Sequence, residues 1–447
     1  MARRSSLPWE EPMSQWKRTR AACAGLLLVV LAWGLGAQPL PVAKPEQVGM
    51  SSQKLAKIGQ VLKKEADDGS FRGAVVMVAR KGKLVYQDAV GMQTVSAKMT
   101  PEAIFRIYSM TKPLVSVAAM MLVEDGTIQL TDPVSKYLPG FDKLQVSVAT
   151  KNDAGTTTYT LVPQERQMTV QDLLRHTSGL AYGEITQNAP VKEGLERAGL
   201  YRKDLDFDAR NVAPDEEIAG MAKAPLAFQP GTTWNYSVST DMLGRVVEKA
   251  SGKRLADFLD ERLFKPLGMK DSGFWVPAAK MPRLAESLEK DRFAGRPFPL
   301  IDVSAPPKND SGGAGGVSTA ADYLRFCQMM MNGGILDGKR VLSRTTVRLM
   351  TSDHLGGAMN LAMDPGMLLL GSKGYGFGLG FSVRLADGVA AVPGAAGEYM
   401  WAGYGGTYFW VDPKEQVTAV LMTQAASPQR AYFRKQVKQL VYQAITD

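Results

Sequence analysis

The sequence predicts an α/β protein, with a sheet drawn from both ends of the chain, helices flanking it, and a mostly helical segment inserted between. Three observations carry this. Gly73–Ala79 and Val417–Thr423 are apolar throughout, and a strand without polar alternation is buried on both faces. Such a sheet needs a helical layer on each side. Ser51–Asp67 and Pro428–Ile445, near the two ends, carry amphipathic helical spacing. Between about 107 and 330, helical patterns and long loops dominate. The expected organisation is a leader at 1–37, a sheet domain from 38–106 and 331–447, and a helical domain at 107–330.

The leader comes first in the chain. Lys17, Arg18 and Arg20 precede the apolar run Ala21–Gly36, and Leu35-Gly36-Ala37 resembles a small-residue cleavage site. A start at Met13 gives a more typical short basic region. The apolar run is shorter than the roughly 20 residues of a spanning helix. The expectation is therefore cleavage, no stable membrane insertion, and a periplasmic or secreted mature protein. Ser51 or Ser52 then caps the Lys-rich helix to Asp67. Gly73–Ala79 and Lys83–Val90 are strands joined by a turn at Lys81-Gly82. Ile104–Tyr108 is strand-like, and the apolar helix Pro113–Val123 ends at Asp125-Gly126.

Further helical patterns lie at Val170–Arg175, Asp215–Ala222, Ser239–Ala250 and Ala256–Phe264. Thr156–Leu161 reads as a small hairpin, and the polar stretch 184–214 as an irregular surface excursion. The Gly-rich Ser311–Gly316 lacks the Gly-Lys-Ser/Thr ending of a phosphate cradle and reads as a tight structural loop before the helix Ala320–Met331. Strands return at Phe377–Arg384, Thr407–Val411 and Val417–Thr423.

Composition narrows the function. The 447 residues are 45% hydrophobic, enough for a substantial core. Removing residues 1–37 takes away five Lys/Arg and two Glu, lowering the net charge from +9 to +6. That excess contains no basic block, so nucleic-acid binding is not indicated. Cys23 falls in the leader, which leaves Cys327 alone and excludes an intramolecular disulfide in the mature chain. Cys327, among apolar residues at helical spacing, reads as a buried structural thiol.

Ser109-Met110-Thr111-Lys112 is the chemically informative motif. Residues three apart share a helix face, so a Ser hydroxyl and a Lys amine there can exchange a proton. Pro113 is tolerated in the first turn, and a helix N-terminus favours developing negative charge. Ser-x-x-Lys also occurs at Ser14/Lys17, Ser51/Lys54 and Ser287/Lys290. Only Ser109 leads into a helix apolar enough to be buried, although a plain N-cap role is its alternative. The chain has only two histidines, His176 and His354, with no pair at metal-ligand spacing. No Gly-x-Ser-x-Gly elbow occurs either. His176 reads as a loop hydrogen-bonding residue, so a serine nucleophile here needs another base. Lys112 can serve when desolvation or nearby positive charge lowers its pKa. Tyr236, in Trp234-Asn235-Tyr236-Ser237-Val238-Ser239, is a second oxygen base whose phenolate a neighbouring cation favours. A packing aromatic is its plainer role.

These segments resemble the serine hydrolases of the class C β-lactamase and penicillin-binding-protein-like superfamily, and most closely its family VIII carboxylesterases. The resemblance covers about 45–445. It rests on Ser109–Lys112, Leu173-Leu-Arg-His-Thr-Ser-Gly-Leu180, Pro230-Gly-Thr-Thr-Trp-Asn-Tyr-Ser237 and Leu263-Phe-Lys-Pro-Leu-Gly-Met269. Gly312-Gly-Ala-Gly-Gly-Val-Ser-Thr319 and Trp401–Trp410 with Asp412-Pro413 complete it. The resemblance implies a β-lactamase-like fold with a central antiparallel sheet. It also implies Ser109 as nucleophile, Lys112 as its proton partner, Tyr236 as general base, and an oxyanion hole from the backbone N–H groups of Ser109 and Tyr404.

Two departures from the β-lactamase pattern redirect the expected substrate. Trp401-Ala402-Gly403 stands where those enzymes have Lys-Thr-Gly, and Val238 replaces the Asn of Tyr-x-Asn. Replacing a cation by indole removes a charge-assisted contact of roughly 1.5–3 kcal/mol and adds an apolar wall beside Ala402, Gly403 and Val238. The esterase members show the same Trp-x-Gly. Trp401 as an ordinary core aromatic is the plainer alternative. The expected function is hydrolysis of small, short-chain carboxylic esters through an acyl-enzyme, with no metal or organic cofactor. The alternatives are a β-lactamase, D,D-peptidase or D-aminopeptidase, a transacylase, and a degenerate cell-wall or ligand-binding protein.

Overall fold

A computed structural model of the chain describes residues 39–202, 208–296 and 298–447. The leader assigned to residues 1–37, with Cys23 and Ser14, lies outside the described residues. Seven antiparallel strands form the main sheet. From one edge to the other they are Tyr375–Phe377, Ser382–Arg384, Tyr399–Ala402, Tyr408–Asp412, Val417–Thr423, Gly73–Arg80 and Lys83–Gly91. The two apolar runs are neighbours, with Val76 opposite Leu421, and every residue of both is buried.

Successive strand side chains alternate faces, and Phe409-Trp410 shows what covers each. Phe409 meets Tyr323 of the helix Ala320–Met331 at 5.0 Å between ring centres. Trp410 stacks at 6.4 Å on Tyr442 of the C-terminal helix Arg430–Tyr442. Ser52–Asp67 packs beside the C-terminal helix. Its cap is Ser51, whose Oγ accepts the Lys54 N–H, so that Ser-x-x-Lys pair belongs to ordinary helix capping. The sheet is therefore clothed on both faces, as its unbroken apolarity requires.

One continuous core runs from this sheet into the helical region. Thr111–Glu124 is buried on all sides through Leu122 and packs against Ser239–Ser251. A helix apolar all round is interior, and the turn Tyr108–Met110 that leads into this one contacts the strand Tyr399–Ala402. Among the described residues no helix is long and apolar enough to cross a membrane.

Four expectations change in detail. Phe377–Arg384 is two strands folded back at Gly378–Phe381, where Gly380 has φ +94°. Thr156–Leu161 supplies the second strand of a longer hairpin, Gln145–Lys151 with Thr157–Pro163. The stretch 184–214 holds a helix, Ala189–Arg197, capped by Asn188 and buried at Val191 and Leu195; two turns are too few to show a period. Ile104–Tyr108 is strand only at Phe105–Arg106, and a 3₁₀ turn Tyr108–Met110 follows.

Candidate active site

Ser109 lies in that 3₁₀ turn, two residues before the buried helix begins at Thr111. Tyr108 has φ +45°, a left-handed conformation that costs a non-glycine residue roughly 1–2 kcal/mol. The surroundings enforce it. Ile107 N–H donates to Gly316 O (2.9 Å), Thr111 Oγ1 to Tyr108 O (2.6 Å) and Tyr323 Oη to Met110 O (2.8 Å). Gly316 N–H donates to Thr111 Oγ1 at 2.9 Å, and a Cβ on Gly316 would lie 2.6 Å from that oxygen. The turn is thus held from three sides, and Ser109 is half-buried.

Tyr236 Oη donates to Ser109 Oγ at 2.6 Å. Both groups are hydroxyls, so the same contact can carry a proton in either direction. The Tyr236 ring is packed by Trp401 (5.5 Å), His176 (5.3 Å) and Tyr182 (5.3 Å). Asn235 anchors the segment, its N–H on His176 O and its amide on Leu180 O. A tyrosine held this way is both a packing aromatic and a polar partner of Ser109.

Lys112 is 1% exposed. Its Nζ donates to Tyr182 Oη and Gly313 O, each at 2.8 Å, and stands 4.7 Å from the Tyr236 ring centre. The amine thus meets two oxygens and faces an aromatic ring. Ser109, Lys112 and Tyr236 therefore come together, joined through Tyr182. Burial, with the neighbouring Tyr236, holds the Tyr182 phenol well above its ordinary value, so it is protonated at neutral pH.

Sequence reasoning missed two of these groups. Tyr182 lies just beyond the segment Leu173–Leu180, and only that adjacency marks it. The loop Ser311–Gly316 has a further role beyond spacing, because it presents the Gly313 carbonyl to Lys112. Asp241 Oδ1 sets that loop by accepting from Gly313 N–H (3.0 Å) and Ser311 Oγ (2.6 Å).

The remaining residues singled out in the sequence fall around this centre. Trp401 is 1% exposed, packed on Tyr236 and Phe377 (5.3 Å) in the strand Tyr399–Ala402. Its indole thus meets the site through the Tyr236 ring. Ala402 is buried in the same strand, and Gly403 opens the turn that follows. Val238, with Tyr108, Tyr182 and Ile301, lines a cavity of about 180 Å³. Tyr404 follows Gly403, and its partly exposed ring lies edge-on to Tyr108 at 5.6 Å. His176 is buried, and desolvation pulls its pKa well below the ordinary value. Its Nδ1 pairs with Ser237 Oγ at 3.3 Å, a structural contact. His354 is bonded to Leu349 O. Cys327 is buried, its thiol pushed up by desolvation. Among the described residues no cluster of three or more His, Cys, Asp or Glu is arranged to hold a metal.

A family model described as Beta-lactamase matches residues 58–443. The chain belongs to this β-lactamase-like hydrolase family. It is 35% identical over 369 residues to Protein Rv1367c of Mycobacterium tuberculosis, covering 81% of this chain and 88% of that protein. It is 30% identical over 403 residues to Esterase EstB of Burkholderia gladioli, covering 83% and 90%. Among solved structures it resembles EstCE1, a hydrolase with promiscuous acyltransferase activity. The TM-score is 0.70 at 25% identity, over 87% of this chain and 99% of that one. Simvastatin synthase (LovD) from Aspergillus terreus shares the fold, with a TM-score of 0.69 at 21% identity over 88% and 98% of the two chains.

Proposed function

We propose that this protein is a serine carboxylesterase acting on short-chain esters through an acyl-enzyme on Ser109. The observation that carries the reading is the 2.6 Å contact between Tyr236 Oη and Ser109 Oγ, with buried Lys112 against the same tyrosine ring. Lys112 and Tyr236 share one proton in this cycle, and Tyr236, as the phenolate of that pair, takes the Ser109 proton as Oγ attacks the ester carbonyl. The C–O bond to the alcohol breaks as the tetrahedral intermediate collapses, and the alcohol leaves with that proton. Water then attacks the acyl carbonyl, giving its proton to Tyr236, and the acid departs as Ser109 is reprotonated. The Ser109 and Tyr404 backbone N–H groups hold the oxyanion, each contributing about 10²–10³ in rate.

Esters are favoured over β-lactams because Trp401 and Val238 supply no charged or amide group to hold a substrate carboxylate or amide. The cavity beside Val238, about 180 Å³, suits a small group, at roughly 30 Å³ per water-sized unit. The likeness to Esterase EstB supports the same class. A panel of p-nitrophenyl esters and a chromogenic cephalosporin, run on wild type and Ser109→Ala, tests the reading. Butyrate should be cleaved fastest and Ser109→Ala should be inactive. Cephalosporin turnover matching the butyrate rate would overturn the ester preference, and acyl transfer to an added alcohol outrunning hydrolysis would make it a transacylase. We also propose export through residues 1–37; a mature N-terminus that retains those residues would refute it.

A further inference from the structure

The Gly403 carbonyl and the Tyr404 N–H are two ends of one planar trans peptide and point in opposite directions. Whatever grips the carbonyl therefore sets where the N–H aims. Gly403 O accepts from Gly406 N–H at 3.1 Å, closing a four-residue turn, and from Nη2 of Arg434 at 2.6 Å. Tyr404 is the first central residue of that turn, and the turn bond leaves its N–H unused. No acceptor among the described residues takes that N–H. The other side of the peptide abuts the nucleophile turn. A Cβ on Gly403 would lie 2.3 Å from Ile107 O and 2.2 Å from Thr407 Oγ1. The peptide is thus clamped between a guanidinium and the turn that carries Ser109.

Arg434 is an unusual choice for a mere carbonyl cap. It is 2% exposed, and among the described residues no carboxylate lies within ion-pair distance of it. Its second bond, from Nη1, goes to Leu369 O at 3.1 Å, another neutral partner. Burying a charge without a counter-charge costs several kcal/mol, whereas a neutral amide would cap both carbonyls without that cost. A cation on the carbonyl polarises the peptide and makes its N–H a stronger donor. It also adds positive potential where an oxyanion would form.

We propose that Arg434 is a positioning residue for acyl transfer, aiming and polarising the Gly403–Tyr404 peptide so that the Tyr404 N–H binds the oxyanion beside Ser109. The inference rests on the acyl-enzyme reading above. Arg434→Met, Arg434→Gln and Arg434→Lys are compared with wild type on p-nitrophenyl butyrate. A butyl trifluoromethyl ketone, which forms a tetrahedral oxyanion adduct on serine, is the second probe. Losing one oxyanion donor costs about 10²–10³, and a displaced donor costs less. Arg434→Met should lower kcat by about 10–100-fold with KM within about twofold, and the ketone Ki should rise by the same factor. Arg434→Gln should fall similarly, and Arg434→Lys, which keeps a charge, should lie between. If Arg434→Met does not fold, as judged by circular dichroism, Lys and Gln decide. A folded variant with wild-type kcat and ketone affinity, or with its loss confined to KM, overturns the proposal. Full activity in Ser109→Ala would instead remove the acyl-enzyme reading, and this proposal with it.

Discussion

Tyr236→Phe is the most discriminating single change, because it deletes one oxygen and leaves the ring cage intact. The phenyl ring keeps its contacts with Trp401, His176 and Tyr182, all at 5.3–5.5 Å. What disappears is the 2.6 Å contact to Ser109 Oγ. A positioned general base contributes about 10²–10⁴ in rate, or roughly 2.7–5.4 kcal/mol of barrier at 1.36 kcal/mol per decade. Lys112 stands in poorly, since its amine is engaged with Tyr182 Oη and Gly313 O. The lost hydrogen bond should cost about 1 kcal/mol of stability, so the variant should fold. Initial rates on p-nitrophenyl butyrate should show kcat and kcat/KM falling together, and fluorophosphonate labelling of Ser109 should slow by a similar factor. Retention of kcat within threefold, with Ser109→Ala inactive, would refute the role of Tyr236 in proton transfer.

Three further outcomes follow from the same geometry. Burial and the neighbouring Asp241 push Glu217 up from 4.5 to about 7. The folded state therefore binds the extra proton, and stability should decline as pH rises from about 4.5 through about 7, then level. Glu217→Gln should match wild type near pH 4 and exceed it at pH 8 by on the order of 1–3 kcal/mol. An equal difference at both pH values in urea unfolding would contradict this. Lys438 and Glu398 form a fully buried pair at 2.7 Å. Lys438→Met leaves the buried carboxylate only Arg384 at 3.9 Å and the hydroxyls of Tyr375 and Tyr442, and should cost about 3 kcal/mol, with Lys438→Met/Glu398→Gln recovering much of it; a single-variant loss under 1 kcal/mol speaks against the pair. Gly316→Ala forces a methyl to 2.6 Å from Thr111 Oγ1. It should displace the Ser109 turn and lower kcat about tenfold or more, as small misplacements of reacting groups do; unchanged turnover would show that the turn accommodates it.

Local periodicity made much of this protein legible in its sequence. Apolar runs without alternation located two neighbouring interior strands, because burial on both faces leaves no polar position. The all-apolar helix after Ser109 separated that Ser-x-x-Lys from Ser51/Lys54, which is a surface cap. Ordered segments from Leu173 to Trp410 marked the family before any geometry was known. Short elements were less legible. The reversal inside Phe377–Arg384 and the helix Ala189–Arg197 span too few residues to establish a period.

The sequence by itself singled out Ser109 and Tyr236 as candidates and the two-sided burial of the sheet, since each can be read from side-chain type and local spacing. Tertiary structure alone decided how Lys112 is held. Its oxygen partners lie 70 and 201 residues away in Tyr182 and Gly313, and no local pattern encodes such a closure. It also decided that Trp401 reaches the site through Tyr236, and that Arg434 grips the Gly403 carbonyl. The last contact depends on where the C-terminal helix docks against the sheet, which is set by packing across the whole core and not by any segment's own preference.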